Sequence, residues 1–360
     1  MALQTSGQIS LNDLHLEVDG TSGSEVSLND ADIRDMIDKS SGAQSSISEY
    51  YGATAGNAVR GGHLFVQHPT WNERRPFATY ESQAPDPTSY TFTVPTNVIN
   101  ISVICIGRGY RGGQAFHKTS GSGGGGLCYK NNIDVVAGQT FSITMNDSYS
   151  RFYRSGVCDV RGNASTGKIG GTYSGGDGGG NGGNGGTTSY NPAPSYSTYP
   201  GSGSGGAGGY GGTGGEGGSC TAMAAANGSA GSNGGGGGGG NMWDSNAGSG
   251  YAGGYYGGGT APYGQGSNGS GGAGDTNNAY AQSNGQPGTG GSGNTSNFPA
   301  SNESYAYVFF GAGSKQGYSG SPYESPRNTM QGCVRVVWGL GSAQAFPTTD
   351  VMYRDGESLN

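Results

Sequence analysis

Between positions 162 and 300 the chain holds 52 of its 79 glycines, carries almost no charge and often writes glycine in pairs. Its clearest passage, Ser204-Gly-Gly, Ala207-Gly-Gly, Tyr210-Gly-Gly, Thr213-Gly-Gly, Glu216-Gly-Gly, is an unbroken period of three. A flexible linker is the default reading of Gly/Ser-rich sequence, but a linker needs no period. A left-handed helix with three residues per turn, the backbone geometry of polyproline II, stacks every X on one edge and leaves two bare glycine edges. Along bare edges, neighbouring segments can come close enough for main-chain hydrogen bonds. The period therefore favours an ordered pack of polyglycine II helices. In such a pack, alanine at Gly208 or Gly211 is expected to place a methyl group in a close main-chain contact.

Composition limits the rest. Only 31% of the 360 residues are hydrophobic, so a single large apolar core is out of reach and any compact core belongs outside the glycine block. The net charge of −7 is local: residues 1–59 carry nine acids and two bases, and the remainder balances. No basic face for nucleic acid is expected. No run is long enough to span a bilayer, and Met1-Ala-Leu-Gln-Thr-Ser-Gly-Gln8 lacks the basic and apolar regions of a secretory leader. Cys105, Cys128, Cys158, Cys220 and Cys333 are widely spaced, which suits buried reduced thiols better than a disulfide framework or a metal site.

Residues 1–59 contain a short repeat, Ser10-Leu-Asn-Asp13, Ser27-Leu-Asn-Asp30 and Ser46-Ile-Ser-Glu49. Serine three residues before an acid is the capping-box spacing, in which hydroxyl and carboxylate satisfy free amides at a helix start. Ile33, Met36 and Ile37 then follow at i, i+3, i+4. Two or three short helices are predicted, with too few apolar residues to close a core alone. Leu11, Leu28, Ile33, Met36 and Ile37 are thus candidates for capping the rest of the chain or for docking onto a partner. Residues 60–87, with His63, His68, Trp71 and four prolines, are expected to be a connector with some strand.

Residues 88–161 read as antiparallel β. Tyr90-Thr-Phe-Thr-Val-Pro95 and Thr140-Phe-Ser-Ile-Thr-Met145 alternate, and Val98-Ile-Asn-Ile-Ser-Val-Ile-Cys-Ile106 reads as a fully buried strand. Leu127-Cys-Tyr-Lys130 and Ile133-Asp-Val-Val136 add two more short strands. Tyr305-Ala-Tyr-Val-Phe-Phe310 and Cys333-Val-Arg-Val-Val-Trp338, within 301–347, would close the same β-sandwich. The chain is therefore expected to be mainly β: a small helical segment, an antiparallel sandwich, and a glycine-rich insertion over 162–300 anchored at both ends. The tail, 348–360, is expected to be extended.

The sequence offers little for catalysis or metal binding. Gly162-Asn-Ala-Ser-Thr-Gly-Lys168 has phosphate-loop spacing, but Ile169 stands where a magnesium-binding hydroxyl is needed and no helix pattern follows. His15, His63, His68 and His117 do not pair at ligand spacing. No enzyme and no cofactor is expected. Aromatics are more informative, because Tyr, Ser, Asn and Gly together form the palette of adaptable recognition surfaces. Tyr190, Tyr196, Tyr199, Trp243, Tyr255, Tyr256 and Tyr263, in breaks between glycine triplets, are the candidate receptor-binding residues. The bland alternative is that such tyrosines only cover the X edges of the helices.

Several passages together resemble glycine-rich tail-fibre or virion structural proteins of tailed phages, cyanophages in particular. They are Ser6-Gly-Gln-Ile-Ser-Leu-Asn-Asp13, Ser27-Leu-Asn-Asp30, Ser40-Ser-Gly-Ala43 with Glu49-Tyr-Tyr-Gly52, Phe92-Thr-Val-Pro95, Gly125-Gly-Leu127, Tyr129-Lys-Asn-Asn132, and Val334-Arg-Val-Val-Trp-Gly339 with Ala345-Phe-Pro347. The glycine block is similar in style to fibre-tip adhesins of T-even-like phages, whose polyglycine helices carry host-binding loops. The resemblance implies a virion protein made in the host cytoplasm, attached to other tail or baseplate proteins by residues 1–59. Its glycine region would meet a host-surface glycan or outer-membrane protein. Both a homotrimer and a single-chain polyglycine stack fit this implication. A purely architectural protein and a polysaccharide depolymerase are the competing readings.

Overall fold

Strands that are covered on one face alternate in sequence, and strands covered on both do not. That distinction organises the fold. The computed structural model describes residues 3, 6–18, 21–30, 33–34, 36–37, 39, 44–51, 61–67, 88–96, 98–110, 121–188, 201–220, 226–241, 257–262, 264–274, 310–313, 331–338, 345–347 and 358–359. Its strands are β1 (Gly61–Val66), β2 (Thr88–Thr93), β3 (Asn100–Ile106), β4 (Leu127–Asp134), β5 (Thr140–Met145), β6 (Tyr149–Arg154), β7 (Cys158–Asn163), β8 (Tyr173–Ser174), β9 (Gly178–Gly180), β10 (Cys333–Trp338) and β11 (Ser358–Leu359). One sheet runs β11-β1-β10-β3-β4-β9 and the other β2-β5-β6-β7-β8. Among the described residues these strands pair antiparallel except for the short pairing of β1 with β11.

In β3, Val103 and Cys105 enter the core between the sheets with Phe92, Phe141, Ile143, Phe152 and Val160. Ile104 and Ile106 point the other way and pack with Tyr210, Phe310 and Phe346. β10 divides likewise, Val334 and Val336 to the first core, Cys333 and Val337 to the second. The six-stranded sheet is thus covered on both faces, by the second sheet and by Tyr210 of the glycine-rich block together with Phe310 and Phe346. Burying each such aliphatic or aromatic side chain contributes about 1.5–3 kcal/mol.

Several elements depart from the sequence reading. β1 is the strand expected within 60–87, but its register along β10 places it inside the six-stranded sheet rather than in a connector. The two short strands at 127–136 are one, β4, with a register shift opposite Ile101 and Val103 and a left-handed Asn132 (φ 50). A bulge of this kind absorbs the interruption in alternation that made β4 look like two strands. β6 and β7 were not anticipated. Of the expected strand at 305–310, only Phe310 is described; it forms an isolated bridge with Thr260, and the rest lies outside the described residues.

The described residues of 1–59 include a helix α1 (Leu11–Glu17) and a 3-10 helix (Ile47–Tyr50), each with its capping box in place, and helical backbone at Ile33 and Arg34. At the second serine, Ser27 N donates to Asp30 Oδ2 at 2.8 Å. Leu14, Ile33, Met36 and Tyr50 are buried with Leu3 and Ile9, and Leu28 and Ile37 pack partly against them. The segment therefore gathers a small core of its own. The sequence underrated it because Leu14 and Tyr50 come from elements outside the Ile33–Met36–Ile37 stripe.

Within the glycine block, hydrogen-bond donors recur every third residue. Gly203 and Gly206 donate to the carbonyls of Gly218 and Gly215 at 2.9 and 2.8 Å, and Gly183 and Gly186 donate to Gly206 and Gly203 at 2.8 and 2.9 Å. Gly205 and Gly208 donate to Ser122 and Gly125 at 2.8 and 2.9 Å, while Gly236 and Gly239 donate to Ala207 and Ser204 at 3.0 and 2.8 Å. Ala207 also donates to Gly258, and Gly313 donates to Gly205. Segment 203–209 is thus bonded to six neighbouring segments. Its X residues Ser204 and Ala207 are fully buried, whereas Thr213 and Glu216, in the next segment, are exposed. Position in the lattice dictates the size of X.

Close approach accounts for the glycines. A Cβ at Gly203, Gly206, Gly208 or Gly215 would land on a carbonyl oxygen of Gly239, Gly236, Gly180 or Ser229. Gly211 differs from the expectation: it is exposed, and a Cβ there would meet nothing nearer than Asn233 Nδ2 at 3.4 Å.

Candidate functional site

The lattice has two unlike ends. At the near end, residues 107 and 126 continue β3 and β4, and 181 follows β9, so sheet strands run directly into the glycine segments. The chain also reverses tightly there, at Gly209 N to Gly212 O (2.9 Å) and Gly235 N to Ser232 O (2.9 Å). Asn233 (φ 45) and Gly234 (φ 78) take the left-handed conformation the second turn needs.

The far end is where the chain leaves the described lattice. It does so after Thr188, Cys220, Asn241 and Gly274, and towards the same end after Tyr110 and Gly313. Their ties fix these positions: Cys220 N donates to Thr187 O, Asn241 N to Ala226 O, Tyr110 N to Gly123 O and Gly313 N to Gly205 O. Asn241 is fully buried and stitches this end together. Its Oδ1 accepts from Ala226 N (2.7 Å) and its Nδ2 donates to Ser219 O (3.3 Å). Gly274 N in turn donates to Asn227 Oδ1 (2.9 Å). Sequence reasoning missed Asn241, although an asparagine directly after seven glycines is a visible signal.

The candidate receptor-binding residues divide accordingly. Tyr190, Tyr196 and Tyr199 fall between Thr188 and Gly201, and Trp243, Tyr255 and Tyr256 fall between Asn241 and Gly257. All six lie outside the described residues, but the chain departs towards them from the far end. Tyr263, also outside the described residues, does not share that origin. Its neighbours Pro262 and Gly264 are buried at the near end, where Arg335 Nη1 donates to Pro262 O (3.3 Å) and Gly264 N donates to Tyr210 Oη (2.8 Å). Tyr210 is itself no recognition residue. It is buried, donates to Ala261 O (2.8 Å) and stacks on Phe346 with ring centroids 6.1 Å apart.

Of the attachment candidates, Ile33 and Met36 are buried and Leu28 and Ile37 partly buried in the cluster of residues 1–59, so none offers its full side chain to a partner. Leu11 is 37% exposed on α1, and Leu16, which the sequence did not single out, is 47% exposed. The phosphate-loop look-alike is a turn: Thr166 and Ile169 bridge each other, and the Lys168 carbonyl accepts from Gly185 N. All five cysteines are free, and burial pushes each thiol up, Cys128 and Cys158 to about 11. No cluster of three or more His, Cys, Asp or Glu residues suited to a metal occurs among the described residues. No helix among them is long and apolar enough to cross a membrane. No protein-family model and no curated protein matches the chain.

Proposed function

We propose that this protein is a virion component of a tailed phage, a tail-fibre or baseplate-attached adhesin. In this reading a stack of polyglycine II helices holds receptor-binding segments at its far end. The observation that carries it is the departure of six chain segments at or towards one end of the glycine lattice, opposite the sheets and the tight turns. Function is commonly placed on loops held by a rigid scaffold, and a lattice whose donors step by three around a six-neighbour segment is rigid by construction. The three-residue step is also what supports the polyglycine II assignment. Tyr190, Tyr196, Tyr199, Trp243, Tyr255 and Tyr256 would make the contact, with a host-surface glycan or outer-membrane protein as receptor. The exposed Leu11 and Leu16 on α1 would meet a neighbouring tail or baseplate protein.

The test is binding of the purified full chain to cells of candidate cyanobacterial hosts. Exchange of residues 189–200 or 242–256 for a Gly-Ser segment of equal length should abolish binding while leaving Tm unchanged. Absence of binding by the native chain, together with its burial inside the virion by electron microscopy, would make the protein architectural. Release of reducing sugar from host polysaccharide would make it a depolymerase.

A further inference from the structure

The solvent face of the five-stranded sheet carries a charge cluster that the adhesin reading does not use. Register sets Arg151 opposite Arg161, Tyr153 opposite Asp159 and Tyr149 opposite Asn163. Like charges directly opposite on neighbouring strands repel, and a single carboxylate offsets both. Asp159 Oδ1 accepts from Arg151 Nε (2.7 Å) and Arg161 Nε (2.9 Å); Oδ2 accepts from Arg151 Nη2 (2.9 Å) and Arg161 Nη2 (2.5 Å). Two guanidiniums against one carboxylate leave one positive charge. The neighbours in register on this face are uncharged: Thr144 and Ser142 of β5, Ser89 and Thr91 of β2, and Ser174 of β8.

The guanidiniums are also held flat. Arg151 lies over the Tyr153 ring at 4.1 Å and Arg161 over Tyr149 at 5.6 Å. The forks to Asp159 use Nε and Nη2, and Nη1 of each arginine makes no hydrogen bond among the described residues. The side chains are 23% and 35% exposed, so these donors reach solvent. Planar, immobilised guanidiniums with spare donors suit oxyanions, because little ordering entropy remains to be lost.

The geometry points to an oxyanion-binding site at Arg151 and Arg161 that takes the carboxylate or sulfate groups of an acidic polysaccharide. A polymer fits better than a lone ion because the site is an open sheet face. From it the hydroxyl rows Ser142–Thr91 and Thr144–Ser89 continue across β5 and β2, able to meet successive sugars. The site stands on this sheet alone, so its outcome is separate from that of the cell-binding test.

The experiment titrates the full chain with dextran sulfate and with uncharged dextran at low salt. Binding of the sulfated polymer only is expected. Arg161→Gln, which leaves a neutral Arg151–Asp159 pair, should bind about tenfold more weakly, while Asp159→Asn should bind at least as well as the native chain. Dextran sulfate should also protect Arg151 and Arg161 of the native chain from phenylglyoxal, read by mass spectrometry. That readout holds even if a variant fails to fold. Failure of the native chain to bind dextran sulfate, equal binding by Arg161→Gln, or unprotected arginines would overturn the proposal.

Discussion

A single methyl group separates two glycines of the same triplet run. At Gly208 a Cβ would sit on the Gly180 carbonyl, in a segment bonded on all sides, so alanine must push backbone apart. At Gly211 the nearest atom is a side-chain nitrogen at 3.4 Å, and the chain is exposed. Gly208→Ala should therefore cost about 1–3 kcal/mol, the range for overpacking a filled interior, while Gly211→Ala should stay within about 0.5 kcal/mol of the native chain. Denaturant titration of the two variants measures the contrast; equal stabilities would contradict the close-packed lattice. Tyr210 gives a second residue-level outcome. Its hydroxyl donates to Ala261 O and accepts from Gly264 N, so Tyr210→Phe leaves a buried carbonyl and a buried amide unpartnered. A loss of about 1–3 kcal/mol is expected by the same titration. Burial also holds the five thiols neutral near pH 8, which predicts slow alkylation by iodoacetamide in the native state and rapid alkylation after unfolding.

At the scale of elements, β6 and β7 are joined by the Arg151–Asp159–Arg161 forks. The guanidiniums hold the Asp159 carboxyl well below the usual carboxylate range. A depressed carboxyl stabilises the folded chain above its unfolded pKa, about 3.9, and that contribution fades as pH falls below it towards the folded value. Asp159→Asn should thus lower the unfolding free energy at pH 7 by an amount typical of a partly exposed pair, about 1 kcal/mol or less. The gap to the native chain should be constant above about pH 5 and narrow steadily as pH falls from about 4 to 2; a gap that does not narrow over that range would assign the loss to packing. The same two strands mark the limit of what the sequence makes legible. β3 and β10 are readable because burial on both faces leaves only apolar residues. In Tyr149-Ser-Arg-Phe-Tyr-Arg154 the outward positions combine aromatics with arginine, so hydrophobicity alone conceals an alternation that cation–π stacking makes favourable. β9 consists of glycines and has no side-chain pattern to read.

For the whole molecule, the period of three predicts that glycine segments pack, but not which segment is central or which end faces outward. Those follow from the reversals at 209–212 and 232–235, which return the chain so that its longer connections depart from the opposite end. Tyr263 shows the limit: composition groups it with Tyr255 and Tyr256, whereas its described neighbours Pro262 and Gly264 lie at the near end. The lattice itself makes a graded prediction. Backbone hydrogen bonds in 203–209 are surrounded by six neighbouring segments, whereas 266–274 has several exposed positions and bonds to 226–232 and 235–241. Amide exchange from a bonded segment requires local opening, and opening the centre must break bonds to every neighbour at once. Exchange followed by mass spectrometry should show 203–209 and 212–218 among the slowest amides of the chain, close to those of β3, with 266–274 exchanging first. A glycine block that exchanges uniformly fast across 203–241 would be a coil. The adhesin reading would then lose the scaffold on which its far-end segments are held.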